Sequence, residues 1–89
     1  MIFTSHGRQR WAERCSHLHL DAEVAKARKA DAHTRQMVNT ACRKRLDFDD
    51  HRYWVTPGGA VLVVDRERRV VTVFTLEMVE QRVYAMTTA

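Results

Sequence analysis

The chain has 89 residues, 45% of them apolar, which fits one globular domain over 1–89 rather than a disordered chain. Its longest apolar run, Ala60 to Val64, is far too short to span a bilayer. A net charge of +4 and a pI near 9.6 point to a polyanionic partner, most simply nucleic acid, and the basic residues are mainly arginine, whose planar fork suits phosphate oxygens.

Met1 to Thr4 reads as an extended lead-in or short strand. Ser5 is a good N-cap, so a helix is expected from about His6 to Cys15. On that helix His6, Arg10 and Arg14 recur at every fourth position and form one stripe, with Trp11 and Cys15 as the apolar stripe beside it. A loop follows, and Asp21 is the expected cap of a second helix through Ala30. Leu20, Val24 and Ala27 mark its inner side, while Lys26, Arg28 and Lys29 fall towards solvent. Either this helix continues or Asp31 caps a third one reaching Leu46, with Val38, Ala41 and Cys42 inward. Arg43, Lys44 and Arg45 close that segment. Cations suit the negative end of a helix, and the same cluster is a candidate nucleic-acid contact through Lys44. An acidic loop follows, Asp47 to His51.

From Arg52 the pattern becomes β-like. Arg52 to Val55 forms a strand, and Thr56-Pro57-Gly58-Gly59 has proline and glycine where a type II turn needs them, with Gly58 at the left-handed position. Ala60 to Val64 reads as a central strand covered on both faces. A second tight turn, Asp65 to Arg68, leads into Arg69 to Thr75, where alternation puts Val70, Thr72 and Phe74 on one face. Leu76 to Met86 is expected as a closing helix that buries Leu76, Val79, Val83 and Met86, with a fourth strand over Arg82 to Met86 as the alternative. The fold class is therefore α+β: N-terminal helices packed on a three- to four-stranded antiparallel meander.

A short strand ending in Ser5-His6, a helix reading H-x3-R-x3-R, a second helix and a meander ending in Val71-Thr72-Val73 resemble the RelE-type toxin nucleases of prokaryotes and phages. That superfamily also contains barnase-like and colicin-like ribonucleases. The resemblance implies a RelE-like fold and a metal-independent RNA endonuclease, or an RNA-binding domain of toxin type, with no cofactor. It implies His6 as general acid or base, Arg10 and Arg14 as a phosphate clamp, Arg8 as a peripheral contact, and Thr72 as the hydroxyl that orients the phosphate or His6. An imidazole moves protons near neutral pH, and guanidiniums stabilise the crowded phosphorane.

Tyr53 is the candidate for stacking a base, with Trp54 on the opposite face of the same strand. Plainer roles exist for each residue. His6 can cap the helix, Arg10 and Arg14 can pair with Glu13, Asp47 or Asp49, and Thr72 suits any strand. Cys15, His17, His19 and Cys42 lack the spacing of a zinc site, so no metal is expected. The two cysteines read as buried free thiols in a cytoplasmic protein without an apolar leader. The expected partners are RNA or a host nucleoprotein, and an antitoxin or host protein. The alternative function is a non-catalytic phage- or plasmid-encoded inhibitor that docks on a host protein or nucleoprotein through its basic surface. A nuclease needs His6, the arginines and Thr72 to converge in one cleft.

Overall fold

The apolar run at the centre of the sequence decides the layering. In the computed structural model, which describes residues 1–42 and 51–88, the elements are β1 (Ile2–Phe3), α1 (Ser5–Arg14), α2 (Leu20–Ala25), β2 (Arg28–Lys29), α3 (Ala32–Cys42), β3 (Arg52–Val55), β4 (Ala60–Val64), β5 (Arg69–Thr75) and α4 (Leu76–Thr88). Every residue of β4 is buried. Val61 and Val63 face a core built with Val38, Tyr53, Phe74 and Val79, under α3 and α4. Ala60, Leu62 and Val64 face a second core built with Trp11, Cys15, Val70 and Val73, under α1 and α2. Helices therefore cover both faces of the sheet. Among the described residues, no helix is long and apolar enough to cross a membrane.

The fold is α+β, but the sheet is wider than the expected antiparallel three or four strands. Its order is β1-β5-β4-β3-β2, and β1 runs parallel to β5. The lead-in is held on β5 by Thr4, whose backbone N–H and side-chain hydroxyl both donate to the Val70 carbonyl at 3.1 Å. At the other edge, Arg28 and Lys29 leave the expected helix and pair with Val55 and Trp54. Helix propensities differ by only tenths of a kcal/mol per residue, so a strand edge that accepts ladder bonds overrides them.

Some caps and turns differ from expectation, while Asp31 and the closing helix follow it. Thr4, not Ser5, caps α1, its hydroxyl accepting from Gly7 N at 3.0 Å. His19, not Asp21, caps α2 through Nδ1. Asp31 opens α3, where its carboxylate accepts from Thr34 N at 2.8 Å, a bond that holds its pKa below the usual carboxylate range. α4 is a helix, capped by Thr75, with Val79 buried, while Met86 lies 37% exposed on its outer side. In the first hairpin the left-handed residue is Gly59 (φ 87°) rather than Gly58, so the turn is not type II.

The two hairpins share one construction. Thr56 N donates to Ala60 O, and Gly59 N to Thr56 O; in the second, Asp65 N donates to Arg69 O, and Arg68 N to Asp65 O. Each is a tight turn closed by a left-handed residue, which matches strand twist. A bulge between the pairs Val63–Thr72 and Val64–Val70 leaves Val71 as an extra residue. It resets the alternation, so Val70 joins Val73 beneath α1, whereas Thr72 stands opposite Val63, on the α3/α4 side.

α1 approaches β5 most closely at Gly7, where a Cβ would overlap the Val70 carbonyl oxygen. Since that obstacle is backbone, Gly7→Ala is expected to destabilise the fold by about 1–3 kcal/mol or more, read as a lowered urea midpoint. Burial raises the pKa of both free thiols, Cys15 and Cys42. Thiolate therefore forms first in the unfolded chain. Stability is expected to hold below about pH 8.5 and to fall as pH rises beyond it, with neither thiol reacting with Ellman's reagent in the native protein at neutral pH.

Candidate nucleic-acid interface

The stripe on α1 forms as its spacing implies. Arg10 Nε donates to His6 Nε2 at 3.4 Å, and the same guanidinium pairs with Glu13 at 2.7 Å. Hydrogen bonds from Arg10 and Gln9 hold the Glu13 carboxyl below the usual carboxylate range. His6 and Arg8 are exposed. Arg14 reaches the edge of β5, donates to the Val73 carbonyl at 2.7 Å, and lies 5.3 Å from the Phe74 ring centroid. Arg82 lies 5.6 Å from the same ring. Burial, then repulsion from Arg10 and Arg82, lowers the Arg14 pKa from its usual value. β1 pairs only with Arg69 and Val70, so Arg14 covers part of a strand edge that no strand covers among the described residues.

The other sequence candidates lie apart from this ridge. Thr72 is buried on the sheet face beneath α3 and α4, with the sheet between it and α1. His6, Arg10 and Arg14 are brought together, and Thr72 is not brought to them. Tyr53 is 4% exposed in the α3/α4 core, its hydroxyl donating to Asn39 Oδ1 at 2.6 Å, so its ring has no free face for a base. Lys44 lies outside the described residues.

A second basic surface is built by the sheet itself. Cross-strand pairing sets Lys29 beside Trp54 and Arg52 beside Val64, and the two-residue period of β3 puts Arg52 and Trp54 on one face. The second hairpin adds Arg66 and Arg68 at the same end. Together these residues line a groove of about 660 Å³ with Met1, Trp54 and Val64 as its apolar part. The Lys29 ammonium lies 6.0 Å from the Trp54 ring centroid. Asp65 also lines the groove, but its carboxylate is engaged: Oδ1 accepts from Glu67 N and Arg69 N, and Oδ2 pairs with Arg69 Nε at 3.0 Å. Those bonds, the Arg69 backbone N–H foremost, hold Asp65 ionised below the usual carboxylate range. The groove is thus lined by four cations around an indole, with its carboxylate compensated by a fifth.

Reading the sequence for motifs missed Lys29, Arg52, Arg66 and Arg68. Alternation in Arg52-Tyr53-Trp54 signals one shared face, and Arg66 and Arg68 flag a basic hairpin tip. For Lys29 the sequence carries no signal, because its place depends on an edge pairing. Compared with known proteins, the chain matches no family model, no curated protein and no solved structure.

The two arginines of the ridge differ in role. Arg14→Ala removes a charged hydrogen bond to a carbonyl and a ring contact, and is expected to destabilise the fold by about 1–3 kcal/mol. Arg10→Ala, which breaks an exposed pair, is expected to cost less than about 1 kcal/mol. Urea titrations of both variants check the contrast.

Proposed function

We propose that the chain is an RNA-binding domain that takes a single strand in the sheet groove, consistent with its resemblance to the RelE-type toxin nucleases. The observation that carries this reading is the cluster of Lys29, Arg52, Arg66 and Arg68 around Trp54. Cations along a groove track phosphates, and an indole stacks any base, because every base offers a π-face. Single strands fit better than duplex, since a base must be splayed out to reach a ring set in a groove.

Titrating a fluorescently labelled oligouridylate, followed by anisotropy and by Trp54 emission, tests this. Binding is expected to weaken with salt at a slope of roughly −2 to −3 in log–log form, about 0.7 for each phosphate neutralised. Trp54→Ala is expected to cost about 1–3 kcal/mol of binding. Absence of binding at low salt, or affinity indifferent to both Trp54→Ala and Arg52→Ala, would overturn the reading. Capture of a host protein through the same cations would then favour the inhibitor function.

A second reading, metal-independent cleavage, draws on the exposed ridge. His6 adjoins Gly7, which sits on Val70, and Val70 is two residues from Arg68 along the chain. The imidazole end of the ridge therefore lies towards the groove's end of the sheet. If this reading holds, wild-type protein degrades RNA in EDTA with a bell-shaped pH profile, and His6→Ala abolishes cleavage while binding persists. Intact RNA under those conditions removes the cleavage reading and leaves binding in place.

A further inference from the structure

We infer that Arg68 is an RNA-contacting residue held at a backbone position that favours glycine, so that its guanidinium lines the groove at the expense of local stability. This rests on the groove being the RNA site. The two hairpins of this chain supply the comparison. Their turns carry the same pair of backbone bonds, closing at Thr56–Ala60 in one and Asp65–Arg69 in the other. In both, a side-chain oxygen of the first residue accepts from the backbone N–H of the last: Thr56 Oγ1 from Ala60 N at 3.1 Å, Asp65 Oδ1 from Arg69 N at 2.9 Å. The fourth residue of each is left-handed, φ 87° at Gly59 and φ 62° at Arg68. Among the described residues Arg68 is the one non-glycine with positive φ.

Glycine adopts that conformation without a Cβ penalty, and asparagine or aspartate offsets part of it by local hydrogen bonds. Arginine has neither advantage. Among the described residues no carboxylate pairs with Arg68, and Arg69 takes both Asp65 and Glu67. The Arg68 carbonyl accepts from Ile2 N at 3.4 Å, a bond that any residue would supply. What distinguishes arginine here is its place on the groove that Arg66, Lys29 and Arg52 also line. Unstrained glycine in one hairpin and strained arginine in its counterpart point to a ligand, and a forked donor in a cationic groove fits a phosphodiester.

The test compares Arg68→Gly and Arg68→Lys with wild type, by thermal melting and by anisotropy with labelled oligouridylate. Arg68→Gly is expected to raise the melting midpoint by roughly 2–8 °C and to weaken binding about tenfold, with the salt slope shallower by about 0.7. Arg68→Lys is expected to melt with wild type and to keep an affinity between the other two. An Arg68→Gly protein that binds as tightly as wild type overturns the inference, and so does one that melts no higher. If wild type binds and Trp54→Ala weakens it while Arg68→Gly does not, only this inference falls. If wild type fails to bind at low salt, the reading of the groove falls and takes the inference with it.

Discussion

Burying β4 on both faces is the constraint from which the rest of the arrangement follows. Five consecutive apolar residues in mid-sheet leave no side to solvent, so each face needs helical cover. α3 and α4 cover one face. On the other, α1 lies along β5 and α2 is only six residues long. Glu23, on α2, ties that helix to the first hairpin by accepting from Thr56 Oγ1 and Gly58 N, at one end of the β3–β4 pair. The register puts Arg52 and Val64 at the opposite end, away from that tie. There Trp54 and Val64, which pack on the core beneath α1 and α2, also line the groove.

The charge pattern follows from how the acids are used. Glu23 fastens a turn, Asp31 caps a helix, Glu13 holds Arg10, and Asp65 organises the second hairpin while pairing with Arg69. Each of these four is engaged by neighbours close in the chain or by a hairpin turn. The cations of the groove come from β2, β3 and the second hairpin's turn, and meet through sheet pairing. A modest net charge over the chain thereby becomes a concentrated positive field at one site, where it can draw in a polyanion.

Much of the fold was legible because local patterns and tertiary demands agreed. Ala60 to Val64 could only be a doubly covered strand, and Val79 sits where helical spacing buries it. Legibility ended where a long-range partner decided the outcome. Arg28-Lys29 has helix-forming composition and becomes a strand because β3 offers an edge. The bulge at Val71 has no residue signature, since it depends on register with β4. The α1 ridge was readable, being a four-residue period within one helix. The groove was not, because its residues lie on β2, β3 and the second hairpin and become neighbours only in the sheet.

That bulge also explains why the strand hydroxyl and the helical ridge are parted. Strict alternation would put Val70, Thr72 and Phe74 on one face. Both large apolar residues need burial, but under different helices: Val70 beneath Gly7 of α1, Phe74 against Val79 of α4. One extra residue between them satisfies both, and Thr72 goes with Phe74. Arg14 then reaches the strand through the Val73 carbonyl rather than through a hydroxyl, and anchors the far end of the ridge as a structural cation. Its imidazole end remains exposed near the second hairpin. Any phosphate chemistry by His6 would thus draw its cations from Arg10 and from the groove, and would proceed without Thr72.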